Sequence, residues 1–262
     1  MDFATSFRPI WALLVLVGLM VGGTAAARAT IDPQPFAYAK GSLNEQEDRS
    51  DTPRTGKILL CLAGDSTVTY SQGYAAGFRA RLDRQLQVVN RSRGGRTTAS
   101  FRSDGRWQDI LNLKPDYVMI QFGHNDTGVM DDETYAKNLE RFVDEARAAG
   151  IKPILVTPVS RRYWQEDGTI KDDLASKVAA MRRVAEEKKV PLMELHERAV
   201  DLYVKIGKKI TDTWGLPKPD PAHPDQTIFD KTHFNAEGSL AMGKVVADEL
   251  KRVVPELAPY IE

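Results

Sequence analysis

Short apolar segments alternate with amphipathic segments along the chain from Lys57 to its C-terminus. The apolar segments are rich in leucine, isoleucine and valine, and the segments between them have helical spacing. Strands that are apolar on both faces and separated by helices indicate a parallel sheet that is covered on each side. We therefore expect a single doubly wound α/β domain over residues 57–262. The predicted strands are 58–63, 88–90, 117–122, 154–157 and 192–195, and the predicted helices are 74–86, 107–113, 132–149, 171–188 and 235–254, the last capped by Asn235.

The N-terminal segment does not share this pattern. Arg8 precedes an apolar run over residues 10–21, and alanines suited to signal cleavage follow it. We expect a signal peptide over residues 1–27, cleaved near residue 27 or 29, and an exported protein in a periplasm or the medium. The alternative is a retained anchor, since residues 9–27 carry no charge and just reach membrane-spanning length. The glycine, threonine and alanine in the second half of that stretch favour cleavage and no stable membrane association afterwards.

Residues 28–56 are polar and interrupted by proline and glycine, which is typical of a tether or a surface segment. The 36 basic and 36 acidic residues leave no net charge, so the chain lacks the positive field of a general nucleic-acid binder. The chain has a single cysteine, Cys61, in an apolar run, which excludes a disulfide scaffold. One cysteine and four histidines also make a structural zinc site a poor interpretation.

Polar blocks follow the predicted strands at the points where those strands end. In an open parallel sheet the carboxyl ends of the strands meet at the ligand-binding edge. Each block alone has an ordinary interpretation as a turn or a helix cap. Their joint occurrence at these strand ends instead indicates a functional site. The blocks are Gly64-Asp65-Ser66-Thr67, Ser92-Arg93-Gly94-Gly95-Arg96-Thr97, Gly123-His124-Asn125-Asp126 and, before the last helix, Asp230-Lys231-Thr232-His233-Phe234-Asn235.

These residue types suit acyl transfer through a serine. The hydroxyl of Ser66 needs a neighbouring base to become a nucleophile, and His233 is the candidate base. Asp230, three residues earlier, is near enough in sequence to fix the tautomer of His233 and to stabilise the imidazolium. The backbone N–H groups of Ser66 and Gly95 and the side-chain amide of Asn125 are candidate donors to the oxyanion. Loss of one such donor typically costs ~3 kcal/mol of transition-state stabilisation.

The four blocks resemble those of the SGNH (GDSL-type) hydrolases. Ser66, Gly95, Asn125 and His233 match the four letters of that name, and Asp230 matches the remaining member of the triad. The sequences of the blocks and of residues 157–162 (TPVSRR) are similar to those of the rhamnogalacturonan acetylesterase group of that superfamily. The resemblance spans about residues 57–254.

This resemblance implies a flavodoxin-like α/β/α sandwich that removes acetyl groups from pectic polysaccharide without a metal or organic cofactor. The expected partner is an acetylated, acidic polysaccharide or oligosaccharide, because the arginines near the blocks suit uronate carboxylates. One departure is Thr97-Thr98-Ala99, where members often have Ser-Ser-Arg, so the polysaccharide contacts can differ. The candidate substrate-binding residues are Asp65, Arg96, His124, Arg161 and Trp164.

Three other functions remain compatible with these residues. An SGNH esterase can act on acetylated xylan, on peptidoglycan or on small acyl esters, because a triad does not specify the leaving group. A carbohydrate-binding protein without catalysis is disfavoured, since binding alone has no need of Ser66, Asp230 and His233 together. A membrane-anchored factor that acts only by interaction depends on retention of the N-terminal segment.

Overall fold

A parallel β-sheet forms the centre of residues 57–262, the part of the chain that this computed structural model describes. The predicted signal peptide and tether lie outside the described residues. Strand order is β2-β1-β3-β4-β5, all parallel, which confirms the α/β/α sandwich with one change of direction beside β1. The strands are β1 (Ile58–Gly64), β2 (Leu86–Asn90), β3 (Tyr117–Gln121), β4 (Lys152–Val156) and β5 (Leu192–Met193).

Helices cover both faces of this sheet. They are α1 (Ala75–Arg79), α2 (Thr98–Ser103), α3 (Arg106–Leu113), α4 (Asp132–Ala148), α5 (Ala175–Lys188), α6 (Leu195–Ile206), α7 (Lys208–Thr211) and α8 (Ala236–Val253). Side chains of β1 alternate between the two layers, as the strand period of two requires. Leu60 and Leu62 pack in the core that includes α1, α6 and α8, while Leu59 and Cys61 pack in the core that includes α2 to α5. Each layer therefore closes one apolar face of the sheet.

Several boundaries differ from the sequence-based expectation. The helix expected over residues 74–86 ends at Arg79, because the chain turns so that Leu82 pairs with Ile261 near the C-terminus. The sequence pattern did not predict α2, which begins with a reciprocal cap between Thr97 and Ser100. It also missed α6 and an antiparallel hairpin of β6 (Pro217–Pro219) and β7 (Thr227–Phe229). No described helix is long and apolar enough to span a bilayer.

Candidate active site

Ser66 stands where β1 ends and a single 3-10 turn, Ser66–Val68, begins. Asp65 caps that turn: its Oδ1 accepts hydrogen bonds from the backbone N of Thr67 at 2.9 Å and from the Thr67 hydroxyl at 2.7 Å. The cap fixes the direction in which the chain leaves the sheet. As a result the hydroxyl of Ser66 lies at the carboxyl edge of the sheet, at the end of β1, beside which the order of the strands changes direction.

His233 approaches Ser66 from the loop that precedes α8. The distance between His233 Nε2 and Ser66 Oγ is 2.8 Å, across 167 residues of sequence. On the other side of the ring, His233 Nδ1 lies 3.3 Å from Asp230 Oδ1. The arrangement has the geometry of a nucleophile, a base and a carboxylate that orients the base.

The carboxylate of Asp230 also organises its own loop. Its Oδ1 accepts hydrogen bonds from the backbone N–H groups of Thr232 and His233, each at 2.6 Å. Burial acts to raise the pKa of Asp230, but the hydrogen bonds from the side chain and backbone of His233 and from Thr232 outweigh burial and hold that pKa well below its ordinary value. The lowered pKa favours the ionised carboxylate beside the ring of His233.

The lowered pKa of Asp230 predicts a pH-dependent contribution to stability. A carboxyl whose folded pKa lies below its ordinary 3.8 stabilises the fold above that pH, and the contribution is lost as the pH falls towards the folded pKa. We expect Asp230→Asn to lower the free energy of unfolding by about 1 kcal/mol near neutral pH and by less below about pH 3.5. Urea denaturation of the wild type and of Asp230→Asn, near neutral pH and below about pH 3.5, measures the difference in the free energy of unfolding. A deficit that does not change with pH would contradict the assignment.

Donors for an oxyanion converge beside Ser66. Gly95 has φ of +74°, a left-handed conformation that favours glycine, and a Cβ added at Gly94 would lie 3.6 Å from Ser66 Cβ. The side-chain amide of Asn125 donates to the carbonyl of Arg96 at 3.1 Å, which leaves its second N–H for a ligand. All three predicted donors are thus in one place.

Two buried side chains that the sequence did not single out for the site join its blocks. Asn90, at the end of β2, donates to the carbonyl of Val68 at 2.8 Å and accepts from the backbone N of Ser92 at 2.9 Å. Asp126 accepts from the backbone N and the hydroxyl of Thr98, at 2.9 and 2.7 Å, and from the backbone N of Gly123 at 3.1 Å. Asn90 is the last residue of β2, and Asp126 lies in the block after β3. These positions near strand ends were the available signal, since a buried amide or carboxylate there can bond backbone groups.

Asp65 and His124, two of the residues expected to bind substrate, are both buried in the structure and lie against each other. Asp65 is fully buried, and its Oδ2 lies 3.3 Å from Nδ1 of the buried His124. The other ring nitrogen of His124 lies 2.9 Å from the carbonyl oxygen of Val159. Burial acts to raise the pKa of Asp65, but the His124 charge and the hydrogen bonds from His124 and Thr67 outweigh it and lower that pKa. The pair ties the first block to the third beneath Ser66.

The other candidate substrate-binding residues lie nearer the surface and already have partners. Arg96 forms an ion pair with Asp104, and Arg161 forms one with Asp173. Arg161 also donates to the carbonyl of His124 at 3.3 Å, next to the oxyanion donor Asn125. Trp164 is partly buried and packs against the core, and its indole N–H donates to Thr211 at 3.2 Å. Both arginines thus lie near Asn125: Arg96 through its carbonyl, which accepts from the Asn125 amide, and Arg161 through its bond to the His124 carbonyl.

Residues 57–262 contain no cluster of three or more histidine, cysteine, aspartate or glutamate side chains arranged to hold a metal ion. Cys61 is a buried free thiol. At this edge of the sheet Ser66, His233 and Asp230 lie together, with backbone and amide donors near them.

Comparison with known proteins agrees with this geometry. A family model described as "GDSL-like Lipase/Acylhydrolase family" matches residues 62–241. Rhamnogalacturonan acetylesterase RhgT of Bacillus subtilis (strain 168) is 35% identical over 75% of this chain and 90% of its own length. A probable rhamnogalacturonan acetylesterase of the same organism, YesY, is 33% identical over 74% of this chain and 93% of its own. The crystal structure of B. subtilis protein YxiM superposes with a TM-score of 0.66 at 26% identity, covering 77% of this chain and 58% of that one.

Proposed function

This chain belongs to the GDSL-like lipase/acylhydrolase family and is an ester hydrolase, and on that premise we propose that it removes acetyl groups from the pectic polysaccharide rhamnogalacturonan. The observation that carries the proposal is the 2.8 Å contact between His233 Nε2 and Ser66 Oγ, with Asp230 on the opposite ring nitrogen. Two relatives named as rhamnogalacturonan acetylesterases, matched over most of their length, support the substrate class.

The proposed reaction begins with attack of Ser66 Oγ on the carbonyl carbon of a sugar O-acetyl group. The hydroxyl proton passes to Nε2 of His233, and Asp230 stabilises the resulting imidazolium. The carbonyl oxygen becomes an oxyanion that accepts hydrogen bonds from the backbone N–H groups of Ser66 and Gly95 and from Asn125. When the intermediate collapses, the bond to the sugar oxygen breaks and that oxygen takes the proton from His233. The sugar hydroxyl leaves, and Ser66 carries the acetyl group.

The second half of the reaction uses the same groups. Water attacks the acetyl carbonyl, His233 takes a proton from that water, and the oxyanion forms again among the same donors. Collapse breaks the bond to Ser66 Oγ, which regains its proton from His233 while acetate departs. The site needs no rearrangement between the halves, because His233 already contacts Ser66 in the structure.

The experiment that tests the substrate class measures acetate released by residues 57–262 or the full chain from purified acetylated polymers. Acetylated rhamnogalacturonan, acetylated xylan and O-acetylated peptidoglycan are compared at equal acetyl content, with p-nitrophenyl acetate as a small ester. We expect the highest kcat/KM on rhamnogalacturonan. Preference for xylan or peptidoglycan, with turnover of the small ester retained, would overturn the pectic assignment and leave the esterase chemistry.

A variant of Arg161 tests whether the polymer that the protein binds is acidic. The side chain of Arg161 donates to the carbonyl of His124, the residue before Asn125. We expect Arg161→Met to raise KM for acetylated rhamnogalacturonan about fivefold, the value of a single charged contact of about 1 kcal/mol. Turnover of neutral p-nitrophenyl acetate should stay within about twofold. The matched control is Arg147→Met, an exposed arginine near the end of α4 that donates to the Lys189 carbonyl. An equal rise in KM for the neutral ester would contradict recognition of a uronate.

Export is part of the same proposal. The N-terminal run and its alanines motivate it, and a periplasmic or extracellular site would place the enzyme where polysaccharides occur. The mass of the chain recovered from the medium or the periplasm is the measurement. A chain that starts near Arg28 or Thr30 is the expected result, and a full-length chain held in the membrane fraction would contradict it.

A further inference from the structure

A buried arginine holds the loop that carries both Asp230 and His233. Arg162 lies in the segment after β4 and is fully buried, with 0% of its surface exposed. Its Nη2 donates to the carbonyl oxygens of Asp230, at 2.8 Å, and of His233, at 2.6 Å. Its backbone N–H donates to the carbonyl oxygen of Lys231 at 2.8 Å. One residue thus binds three carbonyls of a single four-residue turn.

The surroundings of this guanidinium are unusual for a buried charge. Among the described residues Arg162 forms no ion pair with a carboxylate: its Nη2 binds the two backbone carbonyls, and its buried Nε and Nη1 have no hydrogen-bond acceptor. The group instead lies over the rings of Phe234, at 4.7 Å, and Tyr203, at 6.0 Å. A buried cation without an anionic partner costs stability, and an apolar side chain of similar volume would fill this space at lower cost. The presence of a buried arginine at position 162 is therefore explained by the hydrogen bonds that its guanidinium donates to the turn.

The two ends of the turn are held by backbone hydrogen bonds, from Asp230 N to the Leu216 carbonyl at 2.9 Å and from Phe234 N to the Gln72 carbonyl at 2.8 Å. The groups between those ends are bound from two sides. Asp230 Oδ1 binds the N–H groups of Thr232 and His233 from inside the turn, while Arg162 binds the carbonyls on its outer side. A change in the orientation of either carbonyl rotates the adjoining peptide and moves the imidazole relative to Ser66. Misplacement of a reacting group by about 1 Å can cost about 10²-fold in rate.

We propose that Arg162 is a positioning residue for the triad: its guanidinium fixes the carbonyls of Asp230 and His233 and so aligns His233 Nδ1 with Asp230 and His233 Nε2 with Ser66. This inference rests on the proposed function of Ser66, His233 and Asp230, and it assigns to Arg162 no contact with substrate. Arg161, the preceding residue, has a different role, since its side chain pairs with Asp173 and not with the turn.

The kinetic test compares Arg162→Met, Arg162→Lys and Lys177→Met. Lys177 is the control because it is also buried, at 3% exposure, and its Nζ donates to a backbone carbonyl, that of Met130, at 2.8 Å. Unlike Arg162, it also pairs with a carboxylate, that of Asp132, at 2.8 Å. We expect Arg162→Met to lower kcat on p-nitrophenyl acetate about 10²-fold with KM within about twofold. Arg162→Lys, which retains donors for the two carbonyls, should recover part of kcat. Lys177→Met should keep wild-type kcat even where its melting temperature falls.

A second measurement is independent of turnover. The chain has four histidines, so nitrogen-15 NMR of the imidazoles can follow His233, assigned by comparison with His233→Gln. We expect a single Nδ1-protonated tautomer in the wild type and in Lys177→Met, and averaged or shifted resonances in Arg162→Met. Wild-type His233 resonances in a folded Arg162→Met would overturn the inference even if no ester were turned over. Absence of esterase activity with the expected NMR change would overturn only the proposed function.

Discussion

The Ser66→Ala variant is expected to lose about 10⁵-fold in kcat on every ester that the wild type hydrolyses. Removal of the hydroxyl takes away the attacking atom, while the oxyanion donors at Gly95 and Asn125 and the base at His233 remain in place. KM should change little, because the methyl side chain removes only one small polar group from the site. The measurement is acetate release from acetylated rhamnogalacturonan beside turnover of p-nitrophenyl acetate.

The control for this variant is Ser103→Ala, which removes an exposed hydroxyl at the end of α2 that donates to the Ser100 carbonyl. It should retain wild-type kcat. Both variants should give wild-type circular dichroism and melting temperatures within a few degrees. Normal turnover by a purified Ser66→Ala protein would remove Ser66 as the nucleophile and with it the acyl-enzyme mechanism.

The His233→Gln variant is expected to lose a similar factor, ~10⁵-fold in kcat, because glutamine cannot take the proton of Ser66 at neutral pH. The residual rate should rise steadily with pH, since hydroxide then replaces the imidazole as the base. The measurement is a pH-rate profile on p-nitrophenyl acetate, corrected for spontaneous hydrolysis.

Its matched control is His223→Gln, which changes an exposed histidine between β6 and β7. The Ser66→Ala, His233→Gln double variant should be no slower than either single variant, because the two residues act as one unit. Multiplicative losses in the double variant, or wild-type activity in His233→Gln, would contradict a shared proton between Ser66 and His233.

Much of the site follows from the sequence because parallel topology brings strand ends together. Once five buried strands are recognised, the blocks at Ser66, Gly95 and Asn125 must lie at one edge of the sheet. Ser66 and His233 are 167 residues apart in the sequence. Their contact required only that the last helix, α8, pack against α1, because this packing brings the N-terminus of α8 to the same edge of the sheet. Residue chemistry then restricts which side chains can act there.

The burial of individual polar side chains could not be predicted from the sequence. Asp65 and His124 are polar and lie in motifs, so the sequence indicated contact with substrate, and the structure buries both. Whether a polar side chain points up from a sheet edge or down into the layer depends on the turn that follows the strand. That turn depends in part on long-range partners, such as Val159 for His124.

The sequence by itself therefore determined the layered α/β class and which polar block follows which strand. It also determined the residue types that suit acyl transfer. Both follow from the sequence because hydrophobic period and side-chain chemistry are local properties. Only the tertiary structure decided that Arg162 binds the carbonyls of Asp230 and His233 and that Asn90 and Asp126 join the blocks. These roles depend on which distant carbonyl or N–H group each buried polar side chain meets, and burial obliges it to find one.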